Sequence, residues 1–420
     1  MTASTPLTEQ NLVVNGDRLN TNIERMAKVG RQPSGNISRL AFTPEALQAR
    51  YLIQQWMIDA GMITRIDAAG NLIGTYAGTD EQALALATGS HIDTVPSGGK
   101  FDGVLGVLAG IEVVKTLHEQ NRRLRHPLQV IAFTDEENTM IGCQAIAGTV
   151  LADDPDRYRS KAGIPIQDCL ESIGGNWDAM ESAGRSRANL AAFVELHVEQ
   201  GAVLETTGKN IGVVQGVVGI RRKAITITGE ANHAGTTPMG MRKDAMVAAA
   251  QVILAVQEIA RAQPTQPVAT VGYLRLTPNA VNIVPGRVEL SVDMRDIYKD
   301  SLDEMLRLLE ERVGAIAQQT QTTITTSPLL CVEPTLAAES VQAAIAQVCD
   351  QLGLSHHSMP SRAGHDSLEV GRITDMGMIF VPSQAGISHS DDEYTSPEQC
   401  TQGANVLLHT LLHLDRQYPC

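Results

Sequence analysis

The stretch from Gly89 to Gly106, GSHIDTVPSGGKFDGVLG, constrains this chain more than any other. It follows an apolar run, Ala83 to Ala87, with the character of a buried strand. It then opens into a second apolar segment, Val104 to about Leu117, that suits a helix. His91 and Asp93 stand at the mouth of the strand, and Asp102-Gly103 stands at the start of the helix. Strand, loop and apolar helix form the repeating unit of an α/β sheet, where strand-end side chains face a common crevice. A His and two Asp in that place suit a cation. An Asp before a helix also serves as an N-cap, and this stretch alone leaves both readings open.

The same arrangement recurs along the chain. Leu128 to Thr134 reads as a buried strand and is followed at once by Asp135-Glu136-Glu137-Asn138. Adjacent acids repel one another and commonly sit on a solvated face, yet a loop at this position points into the crevice of His91 and Asp102. Phe193 to Gly201, FVELHVEQG, alternates and places Glu195, His197 and Glu199 on one face of a strand. An edge strand with a solvated polar face accounts for that pattern, as does an imidazole oriented by flanking carboxylates. Gly386 to Glu393, GISHSDDE, follows the apolar MIFVPS strand and sets His389 on a further strand-end loop.

Periodicity gives the organisation. Leu19–Val29 and Thr43–Ala60 read as helices, the second with Pro44 in its first turn, and 63–77 as a hairpin. From about Ile211 the style changes. A strand at 218–229, a helix at 244–262, strands at 268–277 and 287–296, a helix at 302–319 and a strand at 321–327 give the order β-α-β-β-α-β. The α/β pattern then resumes with a helix at 336–352, a strand at 378–381 and a helix at 396–416. The expected fold class is α/β: a mixed-sheet, three-layer catalytic domain of residues 1–210 and 330–420, carrying an inserted ferredoxin-like domain of residues 211–329.

Composition narrows the partners. A formal net charge of -14 argues against nucleic acid or an anionic membrane surface. No stretch of about 18 apolar residues is expected to span a bilayer. The opening MTASTPLTEQNLVVNGDRLN lacks a basic segment followed by an apolar one, so no secretory signal is expected and the chain is assigned to the cytoplasm. Six scattered cysteines (Cys143, Cys169, Cys331, Cys349, Cys400 and Cys420) form no CxxC pair and suit reduced thiols. Any metal must then be held by His and carboxylates.

The candidates are His91, Asp102, Glu137, His197 and His389, all nitrogen or oxygen donors, which suit one or two divalent ions such as Zn²⁺ or Mn²⁺. With one bridging carboxylate, two ions about 3.5–4 Å apart are usual for amide hydrolysis. Three rival sites fail. Val95 to Phe101, VPSGGKF, resembles a phosphate loop but lacks its first Gly and final Ser/Thr. His409 and His413 have zincin spacing without the Glu, and His356-His357 reads as a solvated turn. No Gly-x-Ser-x-Gly elbow supports a serine hydrolase.

Jointly, GSHIDTVPSGGKFDG, TDEEN, ELHVEQG, GEANHAGTTPMGMRKDA, NAVNIVPG with DMR, GHDS and GISHSDDEYT resemble the M20 metallopeptidase-like amidohydrolases over nearly the whole chain. The resemblance is to the hydantoinase/carbamoylase branch, which includes N-carbamoyl-L-amino acid hydrolases and allantoate amidohydrolases. It implies that His91 and His197 bind one ion, Glu137 and His389 the other, and Asp102 both. It makes Asp93 the partner of the His91 ring and Glu136 the general base. His197 in ELHxEQG, where peptidases of the superfamily carry an acid, favours a ureido or amidine group over a peptide bond.

From the insert, the resemblance directs His233 towards the developing oxyanion and Asn282 and Arg295 towards a substrate carboxylate, with Gln200 completing the site. It makes the insert a lid and the contact of a homodimer. One segment departs: Asn138-Thr139-Met140-Ile141 stands where this branch commonly has Gly-Ser/Thr-Arg-Phe. The implied activity is hydrolysis of an N-carbamoyl-L-amino acid to the amino acid, CO₂ and ammonia. Allantoate hydrolysis is the runner-up, and a non-catalytic ligand-binding relative is the reading from another class. Retention of Glu136 and all five ligands speaks against the last.

Overall fold

Two strands carry the centre of the larger sheet, and both are apolar enough to be covered on each face. The computed structural model describes residues 12–419 apart from 152 and 153. In chain order the strands are β1 (Ile63–Ile66), β2 (Leu72–Tyr76), β3 (Ala85–His91), β4 (Leu128–Phe133), β5 (Leu190–Val198), β6 (Ile211–Val217), β7 (Gly219–Thr228), β8 (Asn232–His233), β9 (Val268–Thr277), β10 (Ile283–Val284), β11 (Arg287–Asp296), β12 (Thr323–Val332), β13 (Thr335–Leu336), β14 (His356–Ser361) and β15 (Asp375–Val381). The chain divides into two units, residues 1–216 with 336–420, and residues 217–335. The sequence-based expectation set the insert at 211–329.

The larger unit holds a mixed sheet in the order β1-β2-β4-β3-β5-β15-β6-β13, with β14 paired to β6. Four neighbours, β4, β3, β5 and β15, run parallel. Their carboxyl ends, and the loops that follow them, therefore share one edge of the sheet, where α/β folds place their sites. Helices Val104–Glu119, Glu339–Gln351 and Pro397–Gln417 bury their apolar sides in the main core with Val194, Leu196 and Val198 of β5. Alternation turns Glu195 and His197 to the opposite face.

That placement removes one of the two readings left open for Phe193 to Gly201. The strand bearing Glu195 and His197 is no solvated edge: every residue of β5 is buried, between β3 and β15. His356-His357 is likewise no turn, since both lie in β14. The remaining boundaries fall within a few residues of the periodicity reading, including the hairpin β1–β2. The five described cysteines are free thiols, whereas Cys420 and the first eleven residues lie outside the described residues.

The smaller unit has a four-stranded antiparallel sheet, β12-β7-β11-β9, with helices Ala245–Ala262 and Lys299–Thr320. The chain order through it is β-α-β-β-α-β, and a two-stranded ribbon, β8–β10, projects from it. Helix Ala245–Ala262 is long and apolar enough by composition to cross a membrane, which the sequence reading did not expect. Its Ala248, Val252, Val256 and Ile259 are instead packed into this unit's own core.

Candidate metal centre

His91 ends β3 and His197 stands one residue before the end of β5, so main-chain pairing with buried neighbours fixes both. The His91 Nδ1 lies 3.0 Å from the Asp93 carbonyl oxygen and the His197 Nδ1 lies 2.8 Å from that of Val198. A carbonyl only accepts, so each Nδ1 carries the proton and each Nε2 is left as an acceptor, which on His197 takes the Gly103 N–H at 3.1 Å. Both Nε2 atoms meet Asp102 Oδ1, at 3.5 Å for His91 and 3.1 Å for His197. The other oxygen, Asp102 Oδ2, lies 3.2 Å from the Nε2 of His389, which is itself 3.5 Å from Glu137 Oε1. Two clusters able to hold a cation result, His91/Asp102/His197 and Asp102/Glu137/His389, with Asp102 common to both. A third, Glu195/His197/His365, lies beneath the first.

The remaining residues surround this pair of clusters. Glu136 Oε2 is 3.6 Å from His91 Nε2, and Gln200 donates from Nε2 to Asp102 Oδ2 at 2.9 Å. Asp93 holds the His91 ring by its backbone carbonyl, the carboxylate being farther off at 3.8 Å. The carboxylate instead accepts the Glu137 N–H at 3.2 Å and so steadies the acidic loop. The departing segment has a local role: Asn138 and Thr139 side chains both bond the Asp135 carboxylate. Asp135, Gln200 and His389 all have positive φ, a backbone state that clusters where structure over-determines a site.

Electrostatics divides the acids. Burial works to raise the Asp102 pKa, but hydrogen bonds with His197, His389 and His91 hold it well below the carboxylate range. Burial pushes Glu136 well above that range against the pull of His91, with Asp366 and Glu137 adding repulsion. Glu137 is also raised, by burial first. Asp135 is pushed up to about 7 by burial and by Asp93. Among the described residues, the ion pairs of Asp102, Glu136 and Glu137 are all with imidazoles. A crowd of acids and imidazoles whose ion pairs include no lysine or arginine fits a divalent cation.

Sequence reasoning gave no role to His365, Asp366 and Glu393, and read Glu195 only as a carboxylate that could orient His197. His365 is buried with its ring centroid 4.4 Å from that of His197, and its Nε2 bonds Ser361 Oγ. Glu195 is fully buried and accepts the hydroxyls of Ser90 (2.7 Å) and Ser367 (2.6 Å) and the Ser367 N–H. Asp366 is buried beside them, and Glu393 lies behind the Asp102 loop. The GHDS string after β14 was the visible signal for two of these.

In the smaller unit, His233 of β8 pairs with Ile283 of β10, and the Ala234 N–H bonds the Asn282 carbonyl at 2.9 Å. The ribbon thus holds His233 and Asn282 together, and the exposed His233 ring accepts the N–H groups of Gly235 and Thr236 at its Nδ1. Arg295 lies on β11 and donates to Asp293 at 2.8 Å.

Comparison with known proteins places this geometry. Residues 87–413 match the model of peptidase family M20/M25/M40. The chain is 42% identical over 407 residues to an N-carbamoyl-L-amino acid amidohydrolase of Geobacillus stearothermophilus, covering 96% of this chain and 99% of that protein. It is 34% identical to an allantoate amidohydrolase of Bacillus subtilis, covering 93% and 96% respectively. Among solved structures it resembles an amidase of the hydantoinase/carbamoylase family from Burkholderia multivorans, with a TM-score of 0.90, 34% identity, and 96% and 98% of the two chains covered. With the family model matched over most of its length and relatives of this identity covered almost end to end, the chain belongs to peptidase family M20/M25/M40.

Proposed function

We propose that this chain is a metal-dependent amidohydrolase that cleaves a non-peptide C–N bond, hydrolysing an N-carbamoyl-L-amino acid to the L-amino acid, CO₂ and ammonia. The observation that carries the reading is the Asp102 carboxylate, which offers one oxygen to His91 and His197 and the other to His389. The resemblance to proteins of that activity supports the substrate class.

Two divalent ions per subunit, Zn²⁺ or Mn²⁺, would be held by His91, His197 and Asp102 and by Asp102, Glu137 and His389. When bound, they polarise a carbonyl and bring the pKa of water towards about 7. Glu136 lies 3.6 Å from the His91 Nε2 and outside both clusters, and burial strengthens its hold on a proton, as a group that takes one up and passes it on requires. It takes a proton from the attacking water and delivers it to the departing amino-acid nitrogen. Water adds to the carbamoyl carbon, the bond to that nitrogen breaks, and the carbamic acid released falls to CO₂ and ammonia. Gln200 steadies Asp102 and faces the substrate.

The insert is read as a ferredoxin-like lid, with His233 at the developing oxyanion and Asn282 and Arg295 on the substrate carboxylate, where a guanidinium fork fits. A homodimer formed through it and a cytoplasmic location complete the reading. The test is to strip the protein, add Mn²⁺ or Zn²⁺, and follow product release from N-carbamoyl-L-methionine, allantoate and a dipeptide in parallel. Turnover of the carbamoyl compound is expected. Turnover of allantoate in its place would move the assignment to the runner-up, and cleavage of the dipeptide alone would overturn it.

A further inference from the structure

We propose that Glu393 is a positioning residue, a latch that registers the loop bearing His389 on the loop bearing Asp102 and so sets one half of the metal centre. The proposal rests on reading those two residues as ligands. Glu393 is only 3% exposed. Its Oε1 accepts the backbone N–H groups of Phe101 (2.9 Å) and Asp102 (3.1 Å), and its Oε2 accepts the Ser388 hydroxyl at 2.9 Å. The same hydroxyl lies 3.3 Å from Asp102 Oδ2. One carboxylate thus grips the main chain of Asp102 on one side and the residue before His389 on the other.

The two halves of the centre differ in what holds them. His91 and His197 belong to strands buried along their whole length, and each ring is pinned at Nδ1 to a carbonyl. His389 sits on a loop, with its side chain 48% exposed and its φ at 54°. No strand pairing fixes it; its loop is closed by turn bonds and by the Ala385 N–H on Glu205, and the carboxylate that ties it to the main chain of the Asp102 loop is that of Glu393.

The latch also accounts for the second glycine of VPSGGKF. A Cβ on Gly99 would overlap Glu393 Oε1. The loop that resembles a phosphate cradle is a seat for the chain's own carboxylate, which uses the backbone N–H groups an anion would take.

The experiment loads metal-stripped wild type, Glu393→Ala and Gly99→Ala with Mn²⁺ and measures bound ions per subunit after buffer exchange. In parallel, amide hydrogen exchange is followed in the metal-free proteins. The wild type is expected to hold two ions and both variants about one. Exchange at residues 99–103 should rise tenfold or more in the variants, while β3 and β5 keep wild-type protection. Glu393→Gln, which keeps the side chain's size, replaces the alanine if that variant does not fold, with a smaller change in the same direction. Two ions and unchanged exchange in the variants would overturn the latch. A wild type that holds fewer than two ions would instead sink the two-ion reading, and the exchange measurement then decides the latch alone.

Discussion

Glu136 and Glu137 are neighbours in sequence with different surroundings. Glu137 faces His389 at 3.5 Å, whereas Glu136 faces the edge of the His91 ring and carries the more strongly raised pKa. One is placed to ligate and the other to keep a proton in play. Glu136→Gln should therefore retain both ions, read by elemental analysis, and lose about 10²–10⁴-fold in kcat, the usual worth of a positioned acid or base. Retained turnover would remove Glu136 from that role. Both acids were legible in TDEEN because each stands immediately after an apolar strand. The Asp93 contact was less so: a sequence gives the residue but not whether its carbonyl or its carboxylate meets the ring, and here the carbonyl does.

Strand β5 shows what a polar face can mean inside a sheet. Glu195, His197 and Glu199 alternate as on a solvated edge, yet all three are buried because each has partners. Glu195 takes three donors from β3 and the short helix Ser367–Val370, and Glu199 accepts the N–H groups of Val203 and Leu204 at a helix start. The partners of Glu195 are distant in sequence, so local alternation could not reveal them, and His365 and Asp366 were passed over for the same reason. Glu195→Ala leaves buried hydroxyls and an N–H without an acceptor. It should destabilise the protein by on the order of 3 kcal/mol, read from the urea midpoint. A loss within about 0.5 kcal/mol would show that the network is not a structural tie.

On the scale of the molecule, the order of the main strands and helices was legible where the hydrophobic period changes between 2 and 3.6, whereas short elements such as β14 gave no such signal. The sheet order was not, since β4, β3, β5 and β15 come together from opposite ends of the chain. Buried acids gathered at their ends, in a chain of formal charge -14, repel one another when no cation is present. Chelation should lower the melting temperature, and added Mn²⁺ or Zn²⁺ should restore it in proportion to the logarithm of its concentration. At a hundredfold excess over Kd each ion contributes about 2.7 kcal/mol; a melting temperature indifferent to chelator would contradict a bound ion. Light scattering should return twice the 45.0 kDa chain mass, and a mass of one chain would exclude the homodimer.

The chain leaves the large sheet on β6 and re-enters it on β13, the strand alongside, where the Ala337 N–H bonds the Gln215 carbonyl. Both ends of the excursion are thus stitched to the same seam. A short turn across that seam would close the larger unit with the ladders of β4, β3, β5 and β15 intact, so the intervening 217–335 is a cassette. His233, Asn282 and Arg295 therefore travel together in one piece of chain, apart from the strands that carry the cation-holding edge.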